Sequence, residues 1–183
     1  GIRHVSNNVR PIETPEDLEG LKIRTPPDEM TVDIFEALGA NPTPMNFSEL
    51  YIALEQGVVD GQENPLMNIY SSKLHEVQDY ISLTSHKYEP TPLLMSKMVW
   101  DMLSPEHQEV IQTAAIEAGE FNRQASLDAD EALRSEMEKA GVAFNEVDPE
   151  LFIEATSSVY DQWAEEYPEL VEMVVNAAQS KPQ

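Results

Sequence analysis

Between Lys22 and Asn64 the chain alternates short apolar runs with amphipathic segments, and this alternation limits the fold more than any other feature. Residues 21–25 predict a strand that ends before Pro26, because the residue preceding a proline is pushed towards extended backbone. A helix follows as far as Leu38, and a short extended segment and a second helix come next. Such an order of strands and helices predicts an open α/β sheet with helices on both faces.

Capping residues indicate where several helices start. Asp28, Ser48 and Ser104 each precede a helical pattern and carry an oxygen that can accept a hydrogen bond from the first turn. Pro105 opens the longest predicted helix, over 105–140, which at ~1.5 Å per residue spans roughly 54 Å. The remaining predicted strands cover 2–6, 42–45, 80–84, 91–98 and 142–147, and the remaining helices cover 65–73, 149–165 and 167–179.

The longest helix exceeds the width of a small domain, so it predicts a brace between two bodies. We therefore expect an α/β ligand-binding lobe at 1–100 and a helical C-terminal region at 101–183. In open α/β sheets, ligands bind beyond the carboxyl ends of the strands. Arg24, Phe47 and the stretch from Gln62 to Asn64 fall at or just after predicted strand ends, so this topology gathers them at one edge.

Composition argues against several classes of function. Cysteine is absent and the four histidines show no zinc-binding spacing, so we expect no metal site and no cofactor. The net charge of −23 would repel a phosphate backbone, so nucleic acid is an unfavourable partner. There is no run of 18 apolar residues, so no membrane insertion is expected. No signal leader opens the chain, so we expect that a leader has been removed or that the chain begins inside a longer protein.

Arg24 is the strongest candidate for binding an anion. Its planar guanidinium matches a carboxylate, and the end of a buried strand would orient and partly desolvate it. The structural alternative is an ion pair with one of the many nearby acids. Asn64 could contact the same ligand or could only cap a helix that starts at Pro65. Phe47 could line a pocket or could only pack on Ile52.

Three further hypotheses stay open on the residues alone. Arg3 and His86 are isolated polar residues at predicted strand ends, where a structural role explains them as well as ligand contact does. Asp60 and Glu63 could form the carboxylate pair of a small acidic hydrolase, although a tight turn also explains Asp60. An interaction module that binds no ligand is the third hypothesis. The sequence has no nucleophile elbow, phosphate loop or dinucleotide-binding motif.

Motifs along almost the whole chain resemble one family, the solute-binding proteins of tripartite ATP-independent periplasmic (TRAP) transporters, of the dicarboxylate-binding (DctP) type. The most specific motif is DGQENP at 60–65, and KIRTP at 22–26 supports it. The other matching stretches are DLEGL at 17–21, ALGA at 37–40, PM at 44–45, SELY at 48–51, ALEQGVV at 53–59, EVQ at 76–78, LTSH at 83–86 and LSPE at 103–106.

The resemblance implies a periplasmic protein that binds an organic acid and delivers it to the membrane subunits of a TRAP transporter, without chemistry on the ligand. By their matching positions, Arg24 would bind the ligand's carboxylate, Asn64 would contact the same end, and Phe47 would line the pocket. Arg3 and His86 match further ligand contacts. Family members have two α/β lobes, so we expect this chain to hold only the second lobe and the helical part, with the N-terminal lobe absent. We also expect an exposed apolar face where that lobe would dock, and self-association through it.

Overall fold

The computed structural model of the protein describes residues 1–179 and contains a six-stranded mixed sheet with the order β3-β2-β4-β1-β5-β6. The strands are β1 Ile2–Asn7, β2 Lys22–Thr25, β3 Asn41–Pro44, β4 Gly61–Asn64, β5 Tyr80–Tyr88 and β6 Ala143–Glu146. The helices are α1 Glu29–Ala37, α2 Leu50–Glu55, α3 Leu66–Ser71, α4 Lys97–Asp101, α5 Pro105–Lys139, α6 Pro149–Ala155, α7 Ser157–Glu166 and α8 Pro168–Gln179. This architecture confirms the predicted α/β class.

The directions of the strands bring the polar strand ends to one edge of the sheet. β2 runs parallel to both β3 and β4. β1 is antiparallel to β4 and to β5, and β5 is parallel to β6. The carboxyl ends of β2 to β6 therefore meet the amino end of β1 at the same edge, which is where open α/β sheets bind ligands.

Helices cover both faces of the sheet, as predicted. On one face, Val5 and Ile23 belong to a core completed by α1, α6 and α7. Val5 pairs with Ser82, so the preceding Ile81 points to the opposite face, because successive side chains alternate along a strand. Ile81 belongs to a second core with α2, α3 and the end of α5. The two cores fix the sheet between helical layers and leave the strand ends at its edge.

The hydrogen bonds of the caps confirm two predicted helix starts. The Asp28 carboxylate accepts a hydrogen bond from the backbone N–H of Thr31 at 3.0 Å. Oγ of Ser104 accepts one from the N–H of His107 at 3.4 Å, and α5 then runs for 35 residues, close to the predicted range. Gly39 has φ +78°, the left-handed conformation that ends α1 where the sequence predicts it.

The strand expected at 91–98 is wrong. Residues 89–96 have no regular structure and lead into α4. The apolar run has no partner strand among the described residues, and Leu94 is 82% exposed. Leu93 and Leu94 line a shallow apolar surface together with Trp100 and Ile111, and Leu93 is 79% exposed. Self-association through such a surface stays a prediction.

Two helix boundaries also differ from the prediction. Ser48 lies inside the 3-10 turn Phe47–Glu49 and does not cap α2. The helix expected over 149–165 breaks at Thr156, whose hydroxyl donates a hydrogen bond back to the carbonyl oxygen of Phe152 at 2.8 Å. β6 comes from the C-terminal part of the chain and joins the same sheet, and the division at residue 100 stays a prediction. Within residues 1–179, no helix combines the length and the apolar character needed to cross a membrane.

Gly61 has no room for a side chain, because β4 lies between β2 and β1 and the backbone of β1 approaches it closely. A Cβ atom at Gly61 would lie 2.2 Å from the carbonyl oxygen of Ser6 and 2.7 Å from Cβ of Asn7. We expect Gly61→Ala to lower the free energy of unfolding by about 3 kcal/mol, measured by urea denaturation. Gly119→Ala in α5 is the control, since its Cβ would meet nothing closer than 3.6 Å and a helical alanine stabilises by about 0.5–1 kcal/mol. Equal stability of the two variants would contradict the packing of β4.

Candidate functional site

The five predicted site residues lie at the edge where the strand ends meet, and together they form the candidate site. Arg3 is near the start of β1, and Arg24 is near the end of β2. Phe47 follows β3, Asn64 ends β4, and His86 is in the last part of β5. The antiparallel direction of β1 explains why Arg3 joins residues from the ends of the other strands.

Arg24 is a buried cation whose direct contacts, the carbonyl oxygen of Met45 and the ring of Phe47, are neutral. Only 2% of the residue is exposed, because β2 lies between β3 and β4. Its Nε and Nη2 atoms donate to the carbonyl oxygen of Met45 at 2.9 and 2.6 Å. The ring of Phe47 lies over the guanidinium, with its centroid 5.7 Å from Cζ. Within residues 1–179, Arg24 forms no ion pair with a carboxylate, so its structural alternative is not found there.

The charge of Arg24 is therefore incompletely compensated. Burial lowers the pKa of Arg24, the carboxylate of Glu63 raises it in part, and the charge of Arg3 lowers it again. A buried cation is costly unless an anion with good geometry joins it. The position consequently favours the binding of an anion beside Arg24.

Arg3 differs from Arg24 because two carboxylates hold it. Glu63 is fully buried and accepts from Nε and Nη2 of Arg3, the latter at 2.6 Å, and Glu89 accepts from Nη1 at 2.5 Å. Burial alone would lower the pKa of Arg3, but its hydrogen bonds with Glu63 and Glu89 and their charges raise it. The sequence did not indicate that Glu63 pairs with Arg3, because the two residues are 60 positions apart. They meet only because β1 pairs with β4.

The side chain of His86 is buried and contacts the same carboxylate of Glu63 that holds Arg3. It is 1% exposed, with Nε2 at 3.4 Å from Oε2 of Glu63 and Nδ1 at 2.7 Å from Oγ1 of Thr84. The ring of Phe35 packs edge-on against the imidazole, with the centroids 5.1 Å apart. Both ring nitrogens thus have protein partners, and His86 is placed to act on the site through Glu63.

Asn64 is the last residue of β4 and does not cap α3, so its structural alternative is wrong. Its amide nitrogen donates to Oε1 of Gln62 at 2.5 Å. Its oxygen accepts from Nη2 of Arg3 and from Nδ2 of Asn68, both at 3.2 Å. Gln62 is buried and pairs with Arg24 across β2 and β4. The two amides therefore lie between the two arginines. The sequence placed Gln62 at this edge but indicated no role for it.

The geometry does not favour the hydrolase hypothesis. Oδ2 of Asp60 accepts a hydrogen bond from the backbone N–H of Lys22 at 2.8 Å, which is a structural role. Burial would raise the pKa of Glu63, but its hydrogen bonds with His86 and Arg3 lower it. A general acid that works near neutral pH needs a raised pKa, so Glu63 is unsuited to donate a proton.

A shallow groove of about 480 Å³ lies beside the candidate site, next to α2. Met45, Asn46, Glu49 and Ile52 are among the residues that line it. Its lining contains no Lys, Arg or His, so this groove offers no cation to an anionic ligand. The cations of the candidate site lie at the sheet edge, and Met45, which accepts the hydrogen bonds of Arg24, also lines the groove.

Comparison with known proteins identifies the family. The family model described as bacterial extracellular solute-binding protein, family 7, matches residues 1–166. The chain belongs to this family. Relatives of this family 7 chain include the 2,3-diketo-L-gulonate-binding periplasmic protein YiaO of Escherichia coli, 38% identical over 171 residues, and protein y4mM of Sinorhizobium fredii, 52% identical over 162 residues. The matches cover 92% and 88% of this chain but 52% and 30% of those proteins.

Solved structures confirm the resemblance to TRAP solute-binding proteins. A TRAP periplasmic solute-binding protein from Chromohalobacter salexigens, solved with bound D-glucuronate, superimposes with a TM-score of 0.91 at 37% identity. The superposition covers 98% of this family 7 chain and 60% of that protein. The chain therefore spans about half the length of the E. coli relative and somewhat more of this structure.

Proposed function

We propose that the protein is a periplasmic solute-binding protein that binds an organic acid through its carboxylate and delivers it to the membrane subunits of a TRAP transporter. The observation that carries this proposal is the charge of Arg24. Its guanidinium is buried at the edge of the sheet where the strand ends meet, and its contacts within residues 1–179 include a carbonyl oxygen and an aromatic ring but no carboxylate. A ligand carboxylate would supply the ion-pair partner that residues 1–179 do not.

Each residue of the candidate site has a role in this proposal. Arg24 binds the carboxylate, and the ring of Phe47 packs against both the guanidinium and the carbon skeleton of the ligand. Asn64 and Arg3 orient the same end of the ligand, since Asn64 Oδ1 accepts from Nη2 of Arg3. His86 supports Arg3 through Glu63. None of these roles requires a metal, a cofactor or a chemical change in the ligand, so we propose a binding protein and not an enzyme.

The ligand class that we propose is a sugar acid with one carboxylate. Similar TRAP solute-binding proteins were solved with D-glucuronate, with β-D-galacturonate in the Sulfitobacter protein and with D-erythronate in the Polaromonas protein. Each of these ligands carries one carboxylate and several hydroxyl groups. The same combination suits a site with one incompletely compensated guanidinium, that of Arg24, beside the amides of Gln62 and Asn64.

The proposal is tested by titrating the full-length protein with sugar acids and with the corresponding neutral sugars in a calorimeter. We expect at least one of D-glucuronate, D-galacturonate and D-erythronate to bind. Its neutral counterpart, such as D-glucose for D-glucuronate, is expected to bind about a hundredfold more weakly, because it leaves Arg24 without an anion. Equal affinity for the acid and the neutral sugar, or no binding of any acid, would contradict the proposal.

A further inference from the structure

The two carboxylates that hold Arg3 differ in their surroundings. Glu63 is fully buried and is held from behind by His86, so it cannot leave Arg3 without leaving charges unpaired in the interior. The side chain of Glu89 is 45% exposed. Glu89 directly follows the end of β5 and begins the segment 89–96, which has no regular structure.

The contact of Glu89 with Arg3 is consequently easy to break. Water can solvate the Glu89 carboxylate as soon as it leaves, and an ion pair with an exposed partner shifts an equilibrium by only about fivefold or less. Nη1 of Arg3, which Glu89 occupies, is the only nitrogen of this guanidinium that Glu63 does not hold. The two guanidiniums are close enough for the charge of Arg3 to lower the pKa of Arg24.

We infer that Glu89 is an internal substitute for the ligand: its carboxylate occupies Nη1 of Arg3 until an oxygen of the incoming sugar acid displaces it. Glu89 then sets the affinity of the site, because every binding event must break the Glu89–Arg3 ion pair. Among residues 1–179, Arg24 forms no ion pair that a ligand would have to break. The inference rests on the proposed function and adds a residue that tunes it.

The test compares Glu89→Gln with Glu76→Gln by titration with the sugar acid that the unmodified protein binds best among D-glucuronate, D-galacturonate and D-erythronate. The side chain of Glu76 is also 45% exposed and also pairs with a cation, Lys73, so it matches Glu89 in charge and exposure. We expect Glu89→Gln to tighten binding by about fivefold and Glu76→Gln to leave it unchanged. Unchanged or weaker binding by Glu89→Gln would overturn the inference.

A second variant separates displacement from a general effect of charge. Glu89→Asp keeps the negative charge but is one methylene too short to reach Nη1 of Arg3 in the same backbone position. Displacement predicts that Glu89→Asp also binds more tightly than the unmodified protein, whereas an effect of the electrostatic field alone predicts no gain. If the unmodified protein binds none of the three acids, the proposed function fails together with this inference. If it binds an acid and neither variant gains affinity, only the inference on Glu89 fails.

Discussion

Replacing Arg24 with alanine is expected to weaken the binding of the preferred sugar acid about a hundredfold or more. The guanidinium is desolvated by the strand packing, and its Nε and Nη2 atoms are fixed on the carbonyl oxygen of Met45, so it meets the ligand in one orientation. Removing one partner of a buried charge pair costs about 2–5 kcal/mol, because the other charge loses its compensation inside the protein. Calorimetric titration of the purified variant measures this loss directly.

Arg10→Ala is the matched control for Arg24→Ala. Arg10 is also an arginine of the α/β part whose guanidinium donates to backbone oxygens, those of Asp17 at 2.8 Å and Glu19 at 3.1 Å. Its loss removes a similar number of hydrogen bonds away from the candidate site, so we expect unchanged affinity. Thermal melts without ligand show whether both variants are folded. An affinity of Arg24→Ala close to that of the unmodified protein would exclude Arg24 as the group that binds the carboxylate.

The elements between Lys22 and Ala37 could be predicted because their signals are local. Pro26 and Pro27 end β2, and Asp28, whose carboxylate caps the first turn, precedes α1. Neither signal depends on residues far along the chain. Arg24 could be selected as a site residue for the same reason. The rule that ligands bind at the carboxyl ends of strands requires only the position of the strand end along the chain.

β4 could not be predicted, because its residues are unusual for a strand. Gly, Glu and Asn are all rare in strands, and Asp60-Gly61 is typical of a turn. Yet Gly61–Asn64 is entirely buried between β2 and β1. Its polar side chains are stable there only because distant residues supply partners, such as Ser6 Oγ for Nε2 of Gln62 at 2.8 Å. No window of sequence around β4 contains those partners.

The carboxylates around Arg3 show the same limit for the candidate site. A chain with 34 acidic residues offers many possible partners for an arginine, and spacing does not distinguish among them. Only the pairing of β1 with β4 and β5 selects Glu63 and Glu89. The sequence therefore predicted which cations lie at the edge but not which of them is already neutralised. The proposed ligand charge depends on that difference between Arg3 and Arg24.

Glu63→Gln is expected to lower the free energy of unfolding by about 3–5 kcal/mol at neutral pH. The carboxylate is fully buried between Arg3 and His86, and it accepts two hydrogen bonds from the guanidinium. Glutamine has nearly the same shape but no charge, and its NH₂ group would face an N–H of Arg3. A buried guanidinium that loses its anion is strongly destabilising. Glu76→Gln, at an exposed ion pair, is the control and is expected to change the free energy by less than about 1 kcal/mol.

The dependence on pH distinguishes a lost ion pair from a simple packing defect. Hydrogen bonds with His86 and Arg3 hold the pKa of Glu63 in the folded protein below the ordinary value of 4.5, although burial alone would raise it. As the pH falls, Glu63 is therefore protonated at a higher pH in the unfolded chain than in the folded protein. The stability that Glu63 contributes is complete above about pH 4.5 and is lost as the pH falls through its folded pKa. The difference between the unmodified protein and Glu63→Gln should shrink in acid.

Urea unfolding of both proteins between about pH 7 and pH 3 tests this expectation, because the loss begins near pH 4.5 and continues below it. His4 also loses stability in acid, because burial and the charge of His86 lower its pKa to about 4, while the unfolded chain is protonated near 6.5. That effect is present in both proteins and largely cancels when their free energies are subtracted. A difference that shrinks in acid places the stabilising energy in the charge of Glu63. A difference in the free energy of unfolding that stays constant with pH, or that is small already at neutral pH, would mean that Arg3 does not need this anion. The contrast between Arg3 and Arg24 would then not be the basis of carboxylate binding.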